Sequence, residues 1–155
     1  YFMNVLVTGG AGFIGTNLIK QLIKRGANIL SIDNYTTGKK SNHVTGNVTY
    51  IKGDVATIDF EKVAFDHFKY ERIDVVYHLA AIARIQPSFE QPKEYFKTNA
   101  TGTFNVAKFC ADNKIPLQYS GSSSHHSGKF KNPYTFSKDI GEEIVHMFID
   151  LYSLT

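Results

Sequence analysis

Short apolar runs alternate along the chain with longer segments in which apolar residues recur at helical spacing. Asn4–Val7, Ile29–Ile32, Val48–Ile51, Asp74–Leu79 and Pro116–Ser120 read as strands. Thr16–Arg25 carries Leu18, Ile19, Leu22 and Ile23 in an i, i+1, i+4, i+5 stripe, and Phe60–Lys69 sets Phe60, Val63, Ala64 and Phe68 on one side, so both are predicted helices. Gly26 follows the first as a helix-ending glycine. Longer helices are predicted over Pro92–Asn113 and Pro133–Tyr152, and the polar stretch Thr36–Gly46 reads as loop.

Near-continuous apolar strands separated by helical segments imply parallel strands joined by helical crossovers. The expected fold is α/β: a doubly wound parallel sheet of about five strands with helices on both faces, and a ligand crevice at the carboxyl ends of its strands. The 155 residues suit one domain with a full-sized core, taken here as spanning 1–155. Cys110 is the only cysteine, which excludes a disulfide framework and a cysteine-based zinc site and fits a reducing, cytoplasmic location. No apolar run approaches the ~20 residues of a membrane helix, and no signal peptide is expected, because glycines interrupt the first apolar stretch. The net charge is +3, with no basic block or acidic tail, so neither nucleic acid nor a membrane is expected as a partner.

Thr8–Gly15 (TGGAGFIG) joins the first strand to the first helix. Read from Gly10 it is G-x-G-x-x-G, and read from Gly9 it is G-x-x-G-x-x-G. Glycine permits a tight turn and lets backbone approach a pyrophosphate, and the helix start then offers free N–H groups and the positive end of its dipole. Asp33 ends the second strand 18 residues after Gly15, where a dinucleotide fold places the carboxylate that holds the adenosine ribose. The setting is that of a Rossmann-type sheet. The carboxylate would repel a 2′-phosphate, which favours NAD over NADP, a preference tempered by nearby Lys39 and Lys40.

Tyr134 and Lys138 stand four apart just after Pro133, on one face of a helix start. An ammonium beside a phenol favours the phenolate, which can take a proton from a sugar hydroxyl while hydride passes to nicotinamide. About one such Tyr–Lys pair is expected by chance, and Tyr35 with Lys39 is a second. Only the Tyr134 pair follows the fifth strand, and a plain surface helix remains open for it. Ser120, Ser122, Ser123 and Ser124 fall at the end of that strand, where a hydroxyl can hold a substrate oxygen or merely line a small-residue loop. His125 and His126 are adjacent, so their side chains diverge, and no metal site is expected there. His78, flanked by apolar residues at the end of the fourth strand, reads as structural.

Together with Asp33-Asn34, Gly53-Asp54-Val55, His78–Ala81, Asn99–Thr103, the serines and Asn132–Lys138, the glycine loop makes the chain resemble the extended short-chain dehydrogenase/reductases. It is most similar to the NAD-dependent epimerase/dehydratases of nucleotide sugars, of the UDP-glucose 4-epimerase type, over essentially its whole length. The resemblance implies NAD as cofactor, bound by Gly9, Gly12, Phe13, Ile14, Gly15, Asp33, Asn34, Asp54, Val55, Leu79, Ala80, Ala81, Asn99, Tyr134 and Lys138. Asp54 and Val55 would meet the adenine, Leu79–Ala81 would line the dinucleotide, and Asn99 would support the site. Tyr134 would be the base, Lys138 the ribose clamp, and Ser122 the helper hydroxyl, with Ser123 as fallback. The implied substrate is a UDP-hexose, epimerised by transient hydride transfer at sugar C4.

Two departures from the family pattern stand out. The usual Val-Tyr-Gly after the serines is His125-His126-Ser127-Gly128, and the stretch to Tyr134 is short. Family members also run to roughly twice this length, so the expected composition is the cofactor half without the C-terminal substrate domain. A module without turnover is therefore an alternative, as is a dehydratase or reductase. Dehydratases of this family carry an Asp-Glu pair where Ser123 and Ser124 stand here, which disfavours elimination. Tyr95, Phe96, Phe104, Val106, Phe109 and Cys110 on the first long helix, and Ile140, Ile144, Val145, Met147, Phe148, Ile149 and Leu151 on the second, exceed one buried face. A homodimer through helices 92–113 and 133–152 is expected, the other reading being that a missing half covers this surface.

Overall fold

The computed structural model describes residues 2–69 and 71–155, with the backbone alone at His125. Five strands form one parallel sheet: β1 (Asn4–Thr8), β2 (Asn28–Asp33), β3 (Val48–Lys52), β4 (Val75–His78) and β5 (Leu117–Tyr119), in the order β3-β2-β1-β4-β5. The order reverses at β1, which pairs β2 on one side and β4 on the other, with Thr8 level with Ile32 and His78. A crevice opens at the carboxyl ends there, because the crossovers leave in opposite directions.

Alternate β1 residues face opposite layers. Val5 and Val7 pack with Ile29 against Ile19 and Leu22 of α1 (Phe13–Lys24). Leu6 packs with Leu30, Ile32 and Val76 against residues of α2 (Phe60–Phe68), α5 (Thr103–Asp112) and α6 (Pro133–Tyr152). Asp59 caps α2 by accepting the Lys62 amide, and Asn132 caps α6 by accepting the Thr135 amide at 2.8 Å, with Pro133 in the first turn. Burial pushes the Cys110 thiol up to about 12, so it packs as a small apolar group.

The predicted helix over Pro92–Asn113 is not uniform. It consists of α4 (Pro92–Phe96), a π-helical turn over Lys97–Gly102, and α5. A short α3 (Gln86–Glu90) precedes it, where Pro87 and Pro92 obscure the periodicity. The first helix begins at Phe13 rather than Thr16, because the last glycine-loop residues already form its first turn. A 3₁₀ turn covers Ser123–Ser127. Much of the apolar surplus assigned to a partner surface is core: Tyr95, Val106, Phe109, Cys110, Val145 and Phe148 are all buried. Phe104, Met147, Ile149 and Leu151 are exposed. Among the described residues no helix is long and apolar enough to cross a membrane.

Candidate functional site

The glycine loop is shaped by close approach. Gly9 has φ +75°, and a Cβ there would stand 2.7 Å from the Ala80 nitrogen, across the seam between β1 and β4. A Cβ on Gly15 would collide with the Gly9 carbonyl oxygen, so Gly15 lets α1 sit tightly on the turn. The Gly9 amide donates to Ile32 O at 2.8 Å and the Gly12 amide to Gly9 O at 3.2 Å. The first turn of α1, at Phe13, Ile14 and Gly15, therefore presents its N–H groups at the mouth of the crevice. Phe13 and Ile14 are exposed there.

Asp33 is buried at the end of β2, and both carboxylate oxygens are engaged. Oδ2 accepts the Ala11 amide of the glycine loop at 3.0 Å, and Oδ1 accepts the Tyr35 amide at 2.8 Å. One carboxylate thus ties the glycine loop to the turn after β2 while keeping a lone pair on each oxygen. A cleft of about 80 Å³ runs past Gly9, Gly12, Asp33, Asn34, Val55, Leu79, Ala80 and Ala81, with Ile82 and Thr98 at one end. The structure thus gathers eight of the cofactor-site candidates around one crevice.

Asp54 stands apart from it. Its Oδ2 pairs with Lys97 Nζ at 2.7 Å and its Oδ1 accepts the Ala56 amide at 2.9 Å. Burial alone would raise this carboxyl, but the hydrogen bonds and the Lys97 charge outweigh it and hold it below the usual range. Lys39 and Lys40 are exposed, and the Lys39 amide donates to Ala11 O at 3.1 Å.

Asn99 lies on the π-helical turn and is almost fully buried. Its Nδ2 donates to Ile82 O and to Ser137 Oγ, both at 3.0 Å, and its Oδ1 accepts the Ile82 amide at 2.9 Å. Ser137 Oγ donates in turn to Tyr134 O at 2.8 Å. Asn99 therefore braces the crevice wall against α6 rather than lining it.

His78 continues this bracing. Its Nδ1 lies 2.6 Å from Thr8 Oγ1 and its Nε2 lies 3.0 Å from Thr103 Oγ1. Thr103 already donates its hydroxyl proton to Asn99 O at 2.7 Å, so Nε2–H must be the donor to Thr103 and Nδ1 the acceptor from Thr8. Burial, and then the charge of Lys138, push His78 down to about 3, and the ring stays neutral. Its structural reading from the sequence agrees with this environment.

Tyr134 and Ser122 come together from different elements. Tyr134, in the first turn of α6, places its hydroxyl 3.5 Å from Ser122 Oγ, in the loop after β5. Ser122 Oγ also stands 2.9 Å from Ser124 Oγ and accepts the Ser124 amide at 3.2 Å. Ser123, the fallback helper, is exposed at the start of the 3₁₀ turn. Lys138 is buried under the serine loop, donating to Ser120 O at 2.7 Å, with its nitrogen 4.5 Å from the Tyr119 ring centre. Burial lowers its pKa to about 8, against a small opposing effect of Glu142. The His125 side chain lies outside the described residues, and among those residues no group of three His, Cys, Asp or Glu could hold a metal. Sequence reasoning passed over Ile82, Thr98 and Tyr95, none of which carries a motif. Tyr95 is buried, edge-on to Tyr134 with ring centres 6.3 Å apart.

The sequence and the fold are matched by known proteins. A putative UDP-glucose 4-epimerase of Methanocaldococcus jannaschii is 29% identical over 97% of this chain and 52% of its own length. A UDP-N-acetyl-alpha-D-glucosaminuronate decarboxylase of Bacillus cytotoxicus is 34% identical over 86% of this chain and 40% of its own length. The UDP-glucose 4-epimerase of Thermotoga maritima, solved with UDP-glucose, superposes with a TM-score of 0.85 at 27% identity, covering 98% of this chain and 53% of that one. The chain thus spans about half the length of these relatives. The family model for the NAD dependent epimerase/dehydratase family matches residues 5–154, and the chain belongs to that family.

Proposed function

We propose that this chain is the NAD-binding half of a UDP-hexose 4-epimerase. The observation that carries the reading is the 3.5 Å approach of the Ser122 and Tyr134 hydroxyls, with Lys138 buried one turn further along α6 and held on Ser120 O. The residues present fit NAD: Gly12 lines the crevice where a larger side chain would fill it, and Asp33 retains lone pairs towards ribose hydroxyls. The α1 amides at Phe13, Ile14 and Gly15 would meet the pyrophosphate. Asn34, Val55 and Leu79–Ala81 would flank the dinucleotide, and Lys138 would clamp its nicotinamide ribose. Bound there, NAD would supply the hydride acceptor and donor for sugar C4.

Tyr134 takes the proton of the sugar hydroxyl and gives it back, and Ser122 holds the same oxygen. Lys138, fixed on Ser120 O, keeps positive charge under the serine loop at neutral pH. The half of the protein that positions the sugar is taken to lie outside residues 1–155, so little turnover is expected from this chain alone. The lone buried Cys110 supports a cytoplasmic location. Exposed Phe104, Met147 and Ile149 support a homodimer through α5 and α6.

Separate titrations with NAD and NADP, with a coupled UDP-galactose assay alongside, test the reading. NAD is expected to bind more tightly than NADP, with turnover near background. Equal or tighter NADP binding removes Asp33 from its role, and binding of neither overturns the reading.

A further inference from the structure

Five non-glycine residues among those described have positive φ. Three of them end helices: Lys69 after α2, Lys114 after α5 and Ser153 after α6. For Ser153, with ψ 35°, that is the ordinary left-handed cap, whereas Lys69 combines φ 58° with ψ −122°. The other two are Tyr35, in the turn after β2, and Arg84, which lines a recess continuous with the crevice and immediately precedes Ile85, the N-cap of α3. Arg84 is the more unusual, with φ +86° on a long side chain. Such backbone persists only where its surroundings over-determine it, and it concentrates at ligand sites.

Here the surroundings are a single clamp. The Tyr95 hydroxyl reaches both Ala83 O, at 2.9 Å, and Arg84 O, at 3.0 Å. Tyr95 is itself buried and edge-on to Tyr134. The strained carbonyls are thus tied to the ring that abuts the proposed base. Arg84 lines a recess of about 610 Å³ that continues the crevice past Ala81, Ile82 and Thr98. Its guanidinium is near enough to the Tyr95 phenol to favour ionisation there, although burial outweighs it and leaves that phenol raised. The charged side chains lining the recess are Arg84 and Glu94. The glycine loop and the start of α1 offer phosphate donors on their own side of the crevice, so Arg84 is not needed for the dinucleotide's pyrophosphate.

We propose that Arg84 is a specificity-determining residue that receives an anionic group of the sugar nucleotide. That group is either its diphosphate or a carboxylate on the sugar. The planar fork of guanidinium matches both groups in bidentate fashion, which a lysine does not. The Tyr95 clamp holds the Arg84 backbone, and so the root of the fork, at the recess. This deepens the reading of the chain as a nucleotide-sugar enzyme and rests on it. Glu94 shares the recess and would oppose an anion, so Glu94→Gln is expected to tighten binding.

The test is side-chain NMR on the whole chain labelled with ¹⁵N-arginine. The chain has three arginines, Arg25, Arg72 and Arg84, and loss of one Nε–Hε signal in Arg84→Lys assigns the third. UDP, UDP-glucose, UDP-glucuronate and NAD are titrated separately. A saturable shift of the Arg84 signal with UDP and with both UDP-sugars identifies the diphosphate, and a shift with UDP-glucuronate alone identifies the carboxylate. In either case Arg25 and Arg72 stay in place, and Arg84→Gln weakens that ligand at least tenfold while NAD affinity changes less than twofold. No shift with any UDP compound at millimolar concentration overturns the proposal, as does an equal response to NAD alone. Absence of NAD binding with an Arg84 response to UDP-sugar overturns the cofactor reading and leaves Arg84 in its role.

Discussion

Asn99 treats Ile82 as a neighbouring strand would, accepting its amide at 2.9 Å and donating to its carbonyl at 3.0 Å across 17 residues of sequence. Its remaining donor goes to Ser137 on α6. One side chain therefore sets the spacing between the crevice wall and the helix that carries Tyr134. Asn99→Ala leaves the Ile82 amide and carbonyl without their partners and removes a donor from Ser137, which keeps its bond to Tyr134 O; each orphaned group costs roughly 1–3 kcal/mol. Urea unfolding should show a loss of several kcal/mol. At concentrations where the variant is folded, NAD affinity should fall about tenfold, and unchanged affinity would show that the brace does not reach the crevice.

Asp33→Asn replaces one acceptor oxygen with an NH₂ group that confronts the Ala11 or Tyr35 amide. It also removes the charge that opposes a 2′-phosphate. NAD affinity is expected to fall at least tenfold and the NADP-to-NAD affinity ratio to rise by at least as much. Parallel titrations of both dinucleotides against wild type and variant check this.

Two buried bases give the protein a defined response to pH. His78 is lowered from 6.5 to about 3, and Lys138 from 10.5 to about 8, both chiefly by burial. In each case the unfolded chain binds the proton more readily, so stability rises with pH between the folded and unfolded values. His78 withdraws stability as pH falls from 6.5 towards 3. Lys138 costs stability fully below about pH 8 and is relieved by pH 10.5, an effect of order 3 kcal/mol. Urea unfolding of Lys138→Met should therefore exceed wild type in stability at pH 7, with the difference closing by pH 10.5. A constant difference across that range would show that Lys138 is not buried as a charge.

Self-association is best probed at positions that do not also serve the core. Phe109 is buried and stacks on Phe60 at 5.6 Å between ring centres, so a charge there would unfold the monomer. Met147→Glu is surface-directed, since Met147 is 36% exposed on α6. Light scattering over a dilution series should show a dimer for wild type and a monomer for Met147→Glu. A wild-type monomer at every concentration would exclude the interface.

The strands, the glycine loop and the Tyr134 helix were legible because each repeats a local pattern: continuous apolar residues, glycine spacing, or a proline-led cap. What escaped was set by partners distant in sequence. Asp54 pairs with Lys97, 43 positions on, a contact that no local pattern announces. The π-helical turn that carries Asn99 has no period of its own, and only the hydrogen bonds of Asn99 and Thr103 mark it. Arg84 carries no local signal, since its backbone is held by the Tyr95 hydroxyl 11 positions on. Of the two serines named for the helper position, Ser122 is the one whose hydroxyl stands 3.5 Å from that of Tyr134. The surplus apolar residues were misallocated because helical period alone does not say which faces meet α2 and the sheet.

The Gly9 contact with Ala80 has a consequence for the order in which the chain is built. β1 meets its second neighbour only at Val75–His78, some 70 residues after it leaves the ribosome. A nascent chain ending before Leu79 holds the glycine loop and Asp33 yet has nothing beneath Gly9. The sheet is rich in pairings of high sequence separation, which are slow to form because loop closure precedes any gain. The dinucleotide's seat is thus completed only when about half of these 155 residues have been made and β4 docks beside β1.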